Sequence, residues 1–306
     1  MNFKAYEALH AFVEGGSVAQ AALRLYRTQP QISRLLAQLE DEAGFPILRK
    51  SGRRLQLTEE GQQFYQHVYR LLRAQDEVQD FTSDIRAGVR GRVRILAANH
   101  IIDGLALEAM GRCSLQRPGF SAALNARMPA DLQWWLAQQQ FDVALVQLPL
   151  EHPAVDTHCF IESEIVAVLH VDHPLAGQAR ITAKQLEQHP YVTLGSRSIL
   201  SQKCHASFES ARAKPLSLLE TSFSTSSVQL AAMGCGIALA EPFSALRQKT
   251  DQVVLRSFHP RVRLRYGVVY PKQRETGEGT LFFVQQLEAV AAAQQAQLTA
   301  LLGQAA

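Results

Sequence analysis

Apolar and polar positions alternate with a helical period over the first forty residues. Apolar residues recur at Phe3, Tyr6, Leu9, Phe12 and Val13. Gly15 and Gly16 end this segment, and Ser17 is a suitable N-cap for a second helix over VAQAALRLY. Thr28 can cap a third helix, with Pro30 in its first turn. The pattern therefore predicts three short helices before Gly44.

The third helix has one apolar face and one bare polar face. Ile32, Leu35, Leu36 and Leu39 follow the i, i+3, i+4, i+7 spacing, so they face a core. The opposite face carries Pro30, Ser33, Arg34 and Ala37, with Gln29 and Gln31 at the exposed tip. Two short helices joined by a tight turn form a helix-turn-helix, whose second helix can read base edges in the major groove. A helical hairpin with a merely solvated face is the alternative.

A small basic hairpin is predicted directly after these helices. Ser51 and Gly52 form a turn between basic residues, and Leu55-Gln56-Leu57 alternates as a strand does. Arg53 and Arg54 at its tip can reach the minor groove or the DNA backbone. From residue 17 to residue 57 there are seven basic and three acidic residues, an excess of four positive charges that suits a polyanion.

The stretch GGSVAQAALRLYRTQPQISRLLAQLEDEAGFPILRKSGRRLQLTEEG resembles the N-terminal signature of the LysR-type transcriptional regulators. The resemblance assigns Thr28, Gln29, Pro30, Gln31, Ser33 and Arg34 to DNA binding by a recognition helix, and Arg53 and Arg54 to the wing. Three residues depart from the family pattern, namely Leu48, Lys50 and Gln31. Gln31 is larger than the alanine common there, which predicts a different base preference.

A long helix follows Thr58, which caps it. Gly61 is unfavourable inside a helix, so it predicts a close backbone contact. From residue 64 a 3.5-residue period predicts a helix that pairs with another helix, through Phe64, Val68, Leu71 and Val78, with Gln75, Thr82 and Ile85 also on the seam. A helix packed on its own chain is the alternative. The resemblance implies that this helix makes a homodimer, within a homotetramer in many members of the family.

The remainder alternates short apolar strands with helices, which predicts parallel-dominated α/β sheets. The resemblance implies a type 2 periplasmic-binding-protein-like effector domain of two subdomains. The complete fold expectation is an α+β multidomain protein with a winged helix-turn-helix (1–58), a linker helix (59–87), a hinge (88–92) and an effector-binding domain (93–306). Subdomain I is expected at about 93–162 and 266–306, and subdomain II at about 163–265.

Ligands in open α/β sheets bind beyond the carboxyl ends of strands and against helix N-termini. This rule selects ten candidate effector-binding residues: Asn99, His100, Ile101, Gln147, Ser196, Ser198, Ser224, Thr225, Glu241 and Phe243. Hydroxyl and N–H groups suit a carboxylate, and Glu241 suits an ammonium group, so the hypothesis is an amino-acid-like or related carboxylate effector. The stretch TSFSTSSVQLAAMGCGIALAEPFSAL is also similar to amino-acid- and opine-responsive members of the family. The alternatives are capping by Ser224, a structural role for His100 and a solvated Glu241.

Other classes of site find little support. The four cysteines are scattered without ligand spacing, so reduced thiols and no structural metal are expected. No segment has about 18 uninterrupted apolar residues, no secretory signal is evident, and no nucleotide-binding or hydrolase motif occurs. We therefore expect a cytoplasmic regulator, not an enzyme, with no cofactor and no membrane contact.

Its expected partners are a double-stranded DNA operator, a small-molecule effector, its own copies and RNA polymerase. A ligand-binding module whose N-terminal part serves assembly, or an enzyme using the C-terminal cleft, would bind duplex DNA with a salt slope near zero.

Overall fold

The computed structural model describes residues 2–51, 54–86, 91–126, 141–195, 198–272 and 274–303. The chain divides into two compact units, Met1–Arg90 and Gly91–Ala306. Each unit contains a hydrophobic core of its own. The predicted hinge over 88–92 falls partly on residues 88–90, which lie outside the described residues, as does the segment PADLQWWLAQQQ over 129–140, whose sequence predicts one of the helices between strands.

Three helices make most of the N-terminal unit: α1 (Phe3–Gly15), α2 (Val18–Arg24) and α3 (Gln29–Ala43). Their boundaries follow from local chemistry. The side chain of Ser17 accepts a hydrogen bond from the N–H of Gln20 at the start of α2. Gly16 and Gly44 end α1 and α3 in the left-handed conformation that glycine adopts without steric cost. The three predicted helices are thus confirmed.

A hairpin and a long helix complete this unit. Strand β1 (Leu48–Ser51) pairs antiparallel with β2 (Arg54–Leu57), and α4 runs over Glu59–Arg86. A Cβ atom on Gly61 would lie 2.1 Å from the carbonyl oxygen of Ile47. The close backbone contact predicted for Gly61 is therefore confirmed, and it fixes the first turn of α4 against the residue that precedes β1.

The first sheet of the C-terminal unit has the order β4-β3-β5-β13-β6. Its strands are β3 (Val93–Ala97), β4 (Ala122–Ala126), β5 (Val143–Leu148), β6 (Val155–Glu164) and β13 (Arg263–Pro271). Strands β3, β4 and β5 run parallel, whereas β13 is antiparallel to both β5 and β6. A late segment of the chain therefore returns to the sheet that the early segment began.

The second sheet has the order β10-β9-β11-β7-β12-β8. Its strands are β7 (Val166–His170), β8 (Arg180–Thr182), β9 (Tyr191–Leu194), β10 (Ser217–Thr221), β11 (Ile237–Ala240) and β12 (Val253–His259). Strand β7 is antiparallel to both of its neighbours. Across the two described sheets five of the nine strand pairings are parallel, so parallel pairing predominates only narrowly. The sheets are mixed because the strands that carry the chain between them pair antiparallel.

Helices cover these sheets. They are α5 (Asn99–Ile101), a π-helical turn (Ile102–Ala106) that continues into α6 (Leu107–Gln116), α7 (Ile199–Ser210), α8 (Ser224–Ala232), α9 (Pro242–Arg247) and α10 (Glu278–Gly303), with a 3₁₀ turn at Ala183–Glu187. Early in α10, Phe283 and Leu287 pack in the large core, whereas Leu298 packs with valines of β7 in a second core. Helix α10 therefore connects the two sheets.

Strands β6, β8 and β12 were not indicated by the sequence pattern. Strand β6 is the edge of its sheet, and most of its residues are partly or fully exposed. An edge strand needs no continuous apolar run, so its sequence resembles a loop. Within the described residues, no helix is long and apolar enough to cross a bilayer.

Candidate DNA-binding surface and effector cleft

Helix α3 presents the polar face that its sequence predicts. Ile32, Leu36 and Leu39 are buried in the N-terminal core. The five residues predicted to form the DNA-reading tip are all exposed: Gln29, Pro30, Gln31, Ser33 and Arg34. Their exposure is the geometry that contact with a DNA groove requires.

Gln31 has a second role that the sequence reading missed. Its Oε1 accepts a hydrogen bond of 3.0 Å from the backbone N–H of Thr28. This is the reciprocal half of a capping box, which satisfies an otherwise free donor at the helix start. While that bond is formed, Gln31 cannot use both amide atoms on a base edge. The larger group at this position therefore caps the helix, and Gln29 is left as the freely available amide.

The hairpin carries positive charge beside α3. Arg49 and Lys50 are exposed on β1. Arg54 begins β2, and Arg53 lies outside the described residues. The predicted wing hairpin is present with the register Ser51 to Arg54.

The dimerisation residues predicted on α4 divide into two groups. Val68 is 3% exposed in the core of the N-terminal unit, and the ring of Phe64 lies 5.7 Å from that of Phe45. Leu71 and Val78 are 45% and 65% exposed. The assignment of Val68 to a dimer contact is therefore corrected, whereas Phe64 is partly buried and packs against the core of its own unit. The first turns of α4 pack on their own chain, because the helices before them need a cover.

The effector candidates after β3 also divide. Asn99 and His100 are partly exposed at the start of α5. Ile101 is 1% exposed in the large core, and its N–H already donates to the carbonyl of Ala98 at 2.9 Å. Ile101 is therefore corrected from a ligand contact to a core residue, since neither its side chain nor its N–H is free.

Glu241 is the most unusual of the candidates. It follows β11 and is only 5% exposed, so the alternative of a solvated carboxylate is wrong. Its Oε1 lies 3.7 Å from Nδ1 of His100, which comes from the first sheet's side of the cleft. The other oxygen, Oε2, is buried and has no hydrogen-bond partner among the described residues, as is also true of Nε2 of His100. A buried carboxylate with a free oxygen is costly unless something binds it.

Gln147 and Tyr266 extend this polar group. They are cross-strand neighbours on β5 and β13, and the Nε2 of Gln147 and the hydroxyl of Tyr266 are buried without a hydrogen-bond partner in the described part of the chain. The rings of Tyr266 and His100 are 6.3 Å apart. Burial, followed by the charge of Glu241, raises the pKa of Tyr266 well above its usual range, so the phenol stays a donor. Tyr266 lies within β13, so the strand ends that indicate ligand contacts in the sequence did not include it.

We call His100, Gln147, Glu241 and Tyr266 the cleft cluster. Between them they leave one carboxylate oxygen, one amide nitrogen, one phenol and one imidazole nitrogen without hydrogen-bond partners among the residues that the structure describes. The same carboxylate contributes to the raised pKa of Cys204, for which burial is the larger cause. The cluster therefore combines one anionic acceptor with hydrogen-bond donors in a desolvated place.

The hydroxyl candidates from the second sheet behave differently from one another. Ser224, the first residue of α8, is 5% exposed and its Oγ has no partner among the described residues, so its side chain does not cap the helix. Thr225 is partly exposed beside it. Ser198 caps α7 by accepting from the N–H of Ser201, and Ser196 lies outside the described residues.

Phe243 is a packing residue. It is 2% exposed, and its ring lies 5.3 Å from that of Tyr266. A Cβ atom on Gly104 would lie 3.0 Å from the Cβ of Phe243, so glycine allows the π-helical turn to pack closely against Phe243. The assignment of Phe243 as a ligand contact is therefore corrected. Its ring packs against the ring of Tyr266 within the large hydrophobic core.

Metal chemistry gains no support in the described part of the chain. No group of three or more metal-ligating side chains occurs there. Cys113, Cys159, Cys204 and Cys235 are all free thiols. Burial raises the pKa of the Cys113 thiol to about 11, which keeps it protonated and unreactive.

Solved structures with a similar fold include CbnR, a LysR family transcriptional regulator. It is 18% identical with a TM-score of 0.72, and the match covers 95% of this chain and 99% of that one. A structure of full-length CbnR with its target DNA has a TM-score of 0.70 at 17% identity, covering 95% of this chain and all of that one. At these identities the structures establish the fold alone.

Sequence relatives include the regulatory protein NocR of Agrobacterium fabrum, 24% identical over 87% of this chain and 88% of that protein. The transcriptional activator protein LysR of Escherichia coli is 23% identical over 90% of this chain and 88% of that protein. Two family models match: the bacterial regulatory helix-turn-helix protein, lysR family, over residues 3–62, and the LysR substrate binding domain over residues 86–292. This chain therefore belongs to the LysR family and is a transcriptional regulator with a DNA-binding helix-turn-helix and an effector-binding domain.

Proposed function

We propose that this regulator reads its operator with the exposed tip of α3 and senses a zwitterionic, amino-acid-like effector in the cleft cluster. The first part rests on helix α3, whose apolar face is buried while its tip is bare. Gln29 and Arg34 have the side chains that pair bidentately with adenine and guanine. Thr28, Ser33 and the wing residues Arg53 and Arg54 are proposed to hold phosphates.

The effector class follows from what the cleft cluster lacks. Oε2 of Glu241 needs a donor, and because the site is buried, a cationic donor gains most from it. The amide of Gln147 and the phenol of Tyr266 need acceptors, which a carboxylate supplies. An α-amino acid presents both groups on one small molecule. The free hydroxyl of Ser224 is a further donor from the start of α8.

Effector binding is proposed to act by shifting a conformational equilibrium. His100 follows β3 and Glu241 follows β11, so a ligand that bonds to the free atoms of both residues favours the arrangement in which the two sheets approach. A ligand can change DNA binding only by its differential affinity for two such arrangements. The proposed assembly is a homodimer or homotetramer that pairs through Leu71 and Val78 of α4. Contact with RNA polymerase and a cytoplasmic location are part of the same proposal.

Two measurements on the full chain test this proposal. A salt titration of binding to duplex DNA should give a steep negative log–log slope, whereas a slope near zero contradicts DNA reading by α3. Calorimetry should compare L-amino acids with the same carboxylic acids lacking the amino group, such as norleucine with hexanoate. Binding that requires the amine supports the role of Glu241. Equal binding of the des-amino acids would show that the effector is a simple carboxylate.

A further inference from the structure

Tyr26 is the most exposed large hydrophobic side chain of the N-terminal unit among the residues described. It lies in the turn between α2 and α3 and is 98% exposed. Its backbone has φ of +51°, a left-handed conformation that residues with a Cβ atom rarely adopt. A bulky aromatic residue there combines unfavourable backbone geometry with an apolar ring in water. Such an outlier points to a use outside the folded chain.

The phenol of Tyr26 differs from the other tyrosines of this unit. The hydroxyl of Tyr65 lies 2.8 Å from Nδ1 of His10, and the ring of Tyr6 lies 6.4 Å from that of Phe64. Among the described residues, Tyr26 has no ring contact, and its phenol has no hydrogen-bond partner. Only its backbone is fixed, by its N–H donating to the carbonyl of Leu23 at 3.3 Å. No intramolecular contact therefore offsets the cost of this side chain.

The position of Tyr26 relates it to the DNA-reading helix. It precedes Thr28, the N-cap of α3, by two residues, and the next residue is anchored by the N–H of Arg27 donating to Ala22 at 2.9 Å. In a helix-turn-helix the first helix crosses the DNA backbone while the second enters the groove. The turn between them then lies beside the phosphates that border the groove. A phenol O–H is one of the side-chain donors that proteins use on phosphate oxygens.

We propose that Tyr26 is a DNA-backbone contact, donating its phenolic hydrogen to a phosphate that borders the groove occupied by α3. This proposal rests on DNA binding by α3. The side chain is 98% exposed, so its hydroxyl is free to meet a phosphate. Because the group is neutral, the contact adds affinity and fixes the docking position without releasing a counterion.

The test uses the full chain and a mixed-sequence duplex, since a phosphate contact acts on every sequence. Tyr26→Phe keeps the ring and the backbone and removes only the hydroxyl. Its affinity should fall roughly tenfold, with an unchanged log–log salt slope. The DNA affinity of Tyr26→Gly should fall at least as far. Its thermal unfolding midpoint should stay level or rise, because glycine adopts this backbone conformation without steric cost. Arg212→Gly is the matched control, since Arg212 has φ of +49° in the other unit. It should leave DNA affinity unchanged.

Three outcomes contradict the proposal, and they are distinguishable. Wild-type affinity in both Tyr26 variants, with Arg34→Ala impaired, overturns the Tyr26 contact alone. Unchanged DNA affinity with reduced activation of RNA polymerase in vitro also overturns it, and assigns Tyr26 to a protein partner. A wild-type chain with a salt slope near zero overturns DNA reading by α3 together with the Tyr26 contact.

Discussion

Nδ1 of His100 lies 3.7 Å from Oε1 of Glu241, and this pair links the helix after β3 to the end of β11. The two residues are 141 positions apart in the chain and belong to different sheets. Each has a second buried polar atom that no described residue bonds. The pair is therefore incomplete as a structural contact and suited to a third participant.

Replacing Glu241 with glutamine should separate binding from stability. The variant Glu241→Gln removes the proposed partner of a ligand ammonium group, so amino-acid affinity should fall roughly 10- to 100-fold. The free energy of unfolding without ligand should stay level or rise, because a buried carboxylate with a free oxygen becomes neutral. Calorimetry and urea unfolding measure the two quantities. Glu162→Gln, an exposed position on β6, is the control that should change neither. Unchanged amino-acid affinity in Glu241→Gln would remove Glu241 from the site.

Removing Arg34 should reveal whether it reads a base. If Arg34 pairs with guanine, Arg34→Ala should cost about 1–3 kcal/mol and relax sequence preference at one operator position. The measurement is a selection of bound sequences with wild-type and variant chains. Gln38→Ala on the same helix is the control, since Gln38 bonds to Glu42 within α3. An equal loss on all sequences would instead identify Arg34 as a phosphate contact.

A methyl group at Gly61 should destabilise the N-terminal unit. The Cβ atom of Gly61→Ala would lie 2.1 Å from the carbonyl oxygen of Ile47, and backbone must move to admit it. We expect a loss of roughly 2–3 kcal/mol or more in the free energy of unfolding, measured by urea denaturation. The matched control is Gly111→Ala, a helical glycine with no atom near its Cβ position, which should gain up to about 1 kcal/mol. Equal stability of the two variants contradicts the predicted contact.

The His173–His189 pair should make the C-terminal unit sensitive to acid. The ring centroids are 4.9 Å apart, and burial, followed by the neighbouring imidazole, lowers the pKa of His173 below its ordinary value of 6.5. Above that value neither the folded nor the unfolded state is protonated, so there is no dependence on pH. Below pH 6.5 the unfolded chain binds the proton more readily than the folded chain. The free energy of unfolding therefore decreases as the pH is lowered, until the pH passes the pKa of His173 in the folded state.

Unfolding in urea at neutral and mildly acidic pH checks this dependence. His173→Gln should lose less stability on acidification than the wild type. His189→Gln should show a smaller improvement, because the charge of the neighbour is the lesser cause of the lowered pKa. A wild-type loss that persists undiminished in His173→Gln contradicts the assignment.

Local signals in the sequence determined the DNA-reading end of the molecule. The helix ends are set by caps that act over a few residues: Ser17 starts α2, and Gly16 and Gly44 end α1 and α3. The spacing of Ile32, Leu36 and Leu39 selects one buried face of α3, so the opposite face is exposed. Helix caps and a 3.6-residue period depend on near neighbours in the chain, and can be read without knowing the fold.

Only the tertiary structure decided which polar residues meet in the cleft. Strand ends indicated Gln147 and Glu241, but the nearness of Glu241 to His100 depends on how two sheets are connected by a returning chain. Tyr266 lies in the cleft cluster although the sequence did not indicate it, whereas Ile101 and Phe243 lie in the core. The reason is that neighbouring elements decide whether a side chain is enclosed. The same reason separates Val68 from Val78 on one helix. The sequence determined the periods and caps of this protein, and long-range packing determined which of its polar atoms were left without partners.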